Sequence, residues 1–111
     1  CCDALIVTIA KGIDGISFPS KLYTCLSVGR PFIAFSTPKS ELRPIIEEND
    51  IGKWCAIDDS ESFVAYVRHL MANPEIVRSV GQNARKLLET HYTVKKAGKA
   101  YFDVLELVNR E

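Results

Sequence analysis

The chain predicts an α/β domain built on a parallel sheet with flanking helices. Short apolar runs at residues 4–8, 32–35 and 53–57 alternate with stretches of helical periodicity. Helical crossovers between successive strands force those strands to run parallel. In the first run, Ala4-Leu5-Ile6-Val7 is apolar at odd and even positions alike, as in a strand covered on both faces.

Taken in order, residues 4–8 form the first strand and residues 9–18 a loop carrying Gly12, Gly15, Lys11, Asp14 and Ser17. Loops of that length inside a compact domain are often functional, the alternative being a surface excursion turned by two glycines. A helix then starts at Pro19-Ser20, where proline suits the first turn and a serine oxygen can accept from an orphan N–H. Gly29 ends it in a left-handed cap and Pro31 prevents continuation. Residues 32–35 are a buried strand, and the turn residues 36–40 lead to a helix over about 41–48, in which Pro44 implies either a loosened first turn or a later start. Glu47 and Glu48 form a solvated face.

After a third strand at residues 53–57 the period changes to that of helices. Asp59 caps a helix with the stripe Phe63, Val64, Val67, Leu70 and Met71. Asn73 caps a second, with Pro74 at its first position and Ile76, Val77, Val80, Ala84, Leu87 and Leu88 on its inner side. Gly81 interrupts that helix and implies close packing against a neighbour, since glycine costs about 1 kcal/mol relative to alanine in a helix interior. Thr93 starts the last helix, striped by Ala97, Tyr101, Val104, Leu105 and Val108. His69 and His91 read as structural. Lys95, Lys96 and Lys99 suit either solvent or an anionic membrane surface.

Composition narrows the function. At 111 residues the chain has room for one hydrophobic core. Fourteen basic residues balance fourteen acidic ones, which argues against a nucleic-acid partner held by a broad positive field. No apolar run reaches membrane-spanning length and no signal peptide is readable, so a cytosolic setting is the default. The cysteines at 1, 2, 25 and 55 have no paired spacing and read as reduced structural thiols, with neither a disulfide framework nor a metal cluster.

Residues 15–31 pack a loop, a polar helix start, a short helix and a hard stop into one unit. In α/β sheets that junction is where ligands sit, and the exposed N–H groups of a helix start favour phosphate. The run Pro-Ser-Lys-Leu-Tyr at 19–23 and Leu-Ser-Val-Gly-Arg-Pro at 26–31 resembles the nucleotide-sugar-binding, Rossmann-like C-terminal domain of GT-B glycosyltransferases, especially the bacterial family 4 enzymes of polysaccharide, capsule and O-antigen synthesis. The likeness continues through Ser40-Glu41-Leu42, Ile45 to Asn49, Asp59, Asn73-Pro74-Glu75 and Gly81 to Arg85.

That resemblance implies a retaining sugar transfer from a UDP- or GDP-sugar to a lipid-linked or saccharide acceptor, without metal or other cofactor. The residues matched to the donor are Asp14, Gly15, Ser17, Pro19, Ser20, Lys21 and Thr24. Backbone N–H groups near Ser20 and Lys21 would face the diphosphate, the Ser20 hydroxyl would donate, Lys21 would supply charge, and Thr24 would reach a ribose hydroxyl. Neither of the family's paired glutamates, separated by seven residues, is present: Thr24 stands at the second position and Ile16 at the first, and the only acid in the loop is Asp14. Catalytic residues are not assigned. The resemblance further implies a C-terminal piece of a larger enzyme, inactive alone, whose N-terminal acceptor domain is its partner and which works in the cytoplasm or peripherally at the inner membrane face. A chain opening on a buried-type strand is also expected to expose apolar surface along residues 4–8 and to be marginally stable or self-associating. The alternatives are a non-catalytic α/β nucleotide-binding or interaction domain and, more distantly, a sugar-nucleotide epimerase.

Overall fold

The computed structural model describes residues 2–13, 16 and 19–110. Its elements are β1 (Leu5–Thr8), α1 (Lys21–Val28), β2 (Phe32–Ser36), α2 (Leu42–Asn49), β3 (Gly52–Ala56), α3 (Ser60–Ala72), α4 (Pro74–His91) and α5 (Val94–Asn109). Among the described residues the strands form one sheet in the order β1-β2-β3 with both pairings parallel. Leu5 lies opposite Phe32, and Phe32 opposite Gly52. The fold is therefore the α/β, Rossmann-like arrangement that the alternation of periods predicts, with strand ends shifted by one residue.

The two faces of the sheet are covered differently. Alternation of side chains along a strand puts Val7, Phe32 and Ala34 on one face, where they cluster with Leu22, Cys25 and Leu26 of α1, Leu42 and Ile46 of α2, and Ala84 and Leu87 of α4. Leu22 and Leu26 are fully buried, each worth about 1.5–3 kcal/mol relative to exposure. Ile33, Phe35 and Cys55 point to the other face. There Phe63 of α3 sets its ring 5.4 Å from that of Phe35. So α1, α2 and α4 form one layer and α3 begins the opposite one.

The caps explain where the helices stop. Gly29 ends α1 at φ 67°, ψ 45°, as its position before Arg30-Pro31 requires. Asp50 ends α2 in the same left-handed region, and Pro44 sits in the first turn of that helix, where no N–H is needed. Asp59 caps α3, its Oδ1 accepting from the N–H of Ser62 at 3.0 Å. Thr93 caps α5, its Oγ1 accepting from the N–H of Lys96 at 3.2 Å. Asn73 does not cap α4 through its side chain: its Nδ2 donates to the His69 carbonyl at 2.8 Å and closes α3 instead.

Helix α4 straps the first layer. A Cβ on Gly81 would stand 2.2 Å from the Gly29 carbonyl oxygen, so the two backbones meet where no side chain fits. Arg85 Nη1 donates to the Ser27 carbonyl at 2.8 Å, placing a cation at the C-terminal end of α1. Asn83 Nδ2 donates to the Asp50 carbonyl at 3.1 Å at the end of α2. The Tyr23 and Tyr92 rings meet edge-on at 5.2 Å further along.

Two helical stripes differ from their expected burial. In α3 only Leu70 is buried, while Met71 is 77% exposed. In α5 no residue is buried, including Ala97, Tyr101, Val104, Leu105 and Val108. An amphipathic pattern requires a partner surface but does not say which one. Among the described residues β1 is an outer strand, and Ile6 on it is 54% exposed, so its apolar pattern is covered on one face of the sheet and not on both.

Glycine-to-alanine changes in two helices should have opposite signs. Gly81→Ala must force the α1–α4 contact apart and is expected to cost about 1–3 kcal/mol. Gly98→Ala in α5 meets nothing within 4 Å and should gain roughly 0.5–1 kcal/mol. Urea melts of the two variants check this, and equal effects would contradict the close approach.

The Asp59 cap predicts a pH signature. Hydrogen bonding from Ser62, first its side chain and then its backbone N–H, holds the carboxyl below its ordinary value. Its contribution is therefore fully present above the unfolded aspartate value and is lost as the pH falls through the lower folded one. Asp59→Ala should lower the melting temperature at neutral pH and have little effect once the parent carboxylate is protonated.

Candidate functional site

The candidate site lies at the carboxyl ends of the strands. The chain leaves β1 at Thr8, Ile9 extends the ladder by donating its N–H to the Phe35 carbonyl at 2.9 Å, and the following loop leads into α1. Pro19, Ser20, Lys21 and Thr24 are gathered at that helix start; Asp14, Gly15 and Ser17 lie outside the described residues. Spacings of three and four put Ser20, Lys21 and Thr24 on neighbouring positions of one helical surface. All three are exposed, whereas Leu22, Cys25 and Leu26 turn inward.

The helix start is built differently from the expected serine cap. Ser20 has φ −59° and ψ −23°, already helical, and its side chain makes no capping bond. A capping side chain needs an extended backbone to turn back on the next N–H groups. Here the Leu22 N–H donates to the Pro19 carbonyl at 3.1 Å and the Tyr23 N–H to the Ser20 carbonyl at 3.2 Å, a tight 3₁₀-type entry. Ser20 Oγ is consequently not consumed by the fold. Among the described residues the N–H groups of Ser20 and Lys21 enter no hydrogen bond, so two donors and the Lys21 ammonium share one exposed end of α1. That combination suits an anion.

The Cys25 and Cys55 thiols and the two imidazoles have structural surroundings. Burial pushes the Cys25 and Cys55 thiols above their ordinary value, which disfavours the nucleophilic thiolate. His69 Nδ1 lies 3.4 Å from Asn73 Nδ2, and His91 Nδ1 lies 2.8 Å from Thr90 Oγ1. Among the described residues no group of three or more His, Cys, Asp or Glu could hold a metal ion. Nor is any helix among them long and apolar enough to cross a membrane.

A second feature of the carboxyl end lies between β2 and β3. There a cleft of about 310 Å³ is lined by Lys11 from the loop after β1, by Ser36, Thr37 and Pro38 at the exit of β2, and by Ala56, Ile57 and Asp58 at the exit of β3. One of these lining residues, Ser36, is held in place. Trp54 Nε1 donates to the buried Ser36 Oγ at 2.8 Å, and the Arg43 guanidinium lies 4.4 Å over the Trp54 ring. Sequence reasoning singles out neither Thr37 nor Asp58. Turn chemistry around Pro38 was the available signal, but it marks a change of direction without showing which strand exits face each other.

Ser36→Ala should leave the Trp54 N–H without its partner and cost about 1–3 kcal/mol. A urea melt measures this, and Trp54 emission should shift because its polar contact is lost. An unchanged melt and spectrum would mean that the bond does not hold Ser36 in place.

Comparison with known proteins gives one useful similarity. The chain is 31% identical over 93 residues to the protein named Probable glycosyltransferase WbjE from Pseudomonas aeruginosa, a stretch that is 83% of this chain and 22% of that protein. The chain thus spans only a part of the length of its relative. No family model matches, and no solved structure matches.

Proposed function

We propose that this chain is the nucleotide-sugar-binding part of a glycosyltransferase. The observation that carries this reading is the identity across most of the chain to a protein bearing that name. The placement of Ser20, Lys21 and Thr24 at a helix start on the carboxyl side of a parallel sheet supports it, because that is where such sheets hold phosphate-bearing ligands.

In finer terms, the proposed reaction is a retaining transfer from a UDP- or GDP-sugar to a lipid-linked or saccharide acceptor in polysaccharide, capsule or O-antigen synthesis. The proposed partner is an acceptor-binding domain elsewhere in the same polypeptide. The Ser20 and Lys21 N–H groups and the Lys21 ammonium would stabilise the departing diphosphate, whose charge grows as the sugar leaves. Ser20 Oγ would donate to a phosphate oxygen, and Thr24 Oγ1, one turn along, would meet a ribose hydroxyl. Asp14, Gly15 and Ser17 belong to the same proposed donor site on the strength of the family resemblance.

Calorimetry on the full-length protein tests the phosphate role. Lys21→Ala should weaken nucleoside diphosphate binding about ten- to a hundred-fold at low salt, the worth of a charge-assisted hydrogen bond, with a smaller loss at high salt. Its melting should stay within about 0.5 kcal/mol of the parent, since Lys21 is exposed. Ser20→Ala should also melt like the parent, because no cap is lost. Parent-like affinity of Lys21→Ala at both salt concentrations would return α1 to a purely structural role.

A further inference from the structure

The exits of β2 and β3 diverge. From Ser36 the chain turns through Thr37 and Pro38 to α2, which packs on the face carrying Phe32 and Ala34. From Ala56 it turns through Ile57 and Asp58 to α3, whose Phe63 packs on Phe35 of the opposite face. Where neighbouring strands send their chains to opposite faces, a crevice opens outside the carboxyl ends, and α/β sheets bind ligands there. The cleft of about 310 Å³ occupies that split, with its lining drawn from both exits.

The lining selects the ligand class. Asp58 offers an acceptor-only carboxylate, Lys11 an ammonium donor and Thr37 a hydroxyl, while Pro38, Ala56 and Ile57 add an apolar strip. A phosphate would meet Lys11 but be repelled by Asp58. Among the described residues no cluster suited to a metal ion includes that lone carboxylate. Nor is there an ion pair between Lys11 and Asp58, so neither head is neutralised by the other. A neutral ligand that both donates and accepts, with C–H faces to lay on the apolar strip, matches all three features. The volume is at the low end of the range for small-molecule sites, about 300–1,000 Å³, which suits one ring.

We infer that the cleft between the β2 and β3 exits is a sugar-ring subsite, in which Asp58 accepts from ring hydroxyls and Lys11 donates to them. This chemistry has two sources, the sugar of a nucleotide donor or a separate saccharide. The inference rests on the divergence of the strand exits and the cleft lining, independently of the helix start at Lys21.

The test uses the full-length protein and three probes: UDP-glucose, UDP and free glucose, with GDP-mannose, GDP and mannose as a second set. Affinities are measured by calorimetry and saturation-transfer NMR for the parent, Asp58→Ala, Lys11→Ala and Ile57→Trp, the last filling the cleft from an exposed position. Near-UV circular dichroism confirms that each variant is folded. The expected result is a roughly tenfold or greater loss of affinity for a sugar-bearing probe in Asp58→Ala and Ile57→Trp, with nucleoside diphosphate affinity unchanged. A loss confined to the nucleotide sugars identifies the donor's ring, and a loss confined to free sugar identifies a separate saccharide. If folded Asp58→Ala and Ile57→Trp bind every sugar-bearing probe as the parent does, or if the parent binds none of them, or if the two variants lose as much affinity for the nucleoside diphosphates, the inference is overturned. Lys21→Ala reports separately on the phosphate reading, so the two ideas fail on different probes.

Discussion

The contact between Gly29 and Gly81 is the constraint on which the rest depends. At that point the end of α1 and the middle of α4 approach until a single added methyl would overlap a carbonyl oxygen. Helix packing normally keeps axes 8–10 Å apart because side chains intervene, and the missing side chain of Gly81 permits a closer approach. Gly29 serves twice, since its left-handed conformation also turns the chain from α1 into β2. The close approach itself depends on Gly81, because a Cβ on Gly29 would meet the Gly81 carbonyl oxygen only at 3.6 Å.

From that anchor α4 reaches the ends of both crossover helices. Arg85 takes the Ser27 carbonyl of α1 and Asn83 the Asp50 carbonyl of α2, while Ala84 and Leu87 enter the core between them. Carbonyls at helix ends lack intrahelical partners, so these donors satisfy groups that would otherwise need water. The C-terminal ends of α1 and α2 are held at the amino-terminal side of the sheet. At the other side Tyr92 meets Tyr23 in the first turn of α1, and the cleft at the β2 and β3 exits is accessible beside it. Rigidity at one end and access at the other is the arrangement a binding domain needs.

Much of this was legible because the signals are local. The αL glycine before a proline, the Asp59 and Thr93 caps, and the two changes of hydrophobic period depend on neighbours a few residues away. Gly81 was legible for a different reason: a glycine inside an otherwise helical run needs a compensating contact. The misreadings arise where the answer depends on distant structure. Ser20 has a capping residue's chemistry, but the tight entry through Pro19 gives it helical angles and its hydroxyl no capping N–H. Asn73 found the carbonyl behind it before the N–H groups ahead. The stripe of α5 was readable as a face to be buried, and the described residues supply nothing that buries it. The β2–β3 cleft was invisible in the sequence, because it follows from α2 and α3 leaving to opposite faces.

The carboxyl end of the sheet is divided by charge. At the start of α1, donors and an ammonium converge with no acidic side chain in the first turn of the helix, conditions that favour a phosphate. At the β2–β3 split, Asp58 stands among the lining groups, which raises the cost of an anion there while adding an acceptor for hydroxyls. A sugar nucleotide carries both chemistries in one molecule, a charged diphosphate joined to a neutral polyol. One edge of a three-stranded sheet therefore offers two chemically distinct surfaces, and each gains selectivity from what the other lacks. The Ser36–Trp54 hydrogen bond, with the Arg43 guanidinium over the Trp54 ring, fixes one lining residue of the second surface. Preorganisation of that kind lowers the ordering cost of binding. It connects the packing of β3 against β2 to the chemistry at their exits.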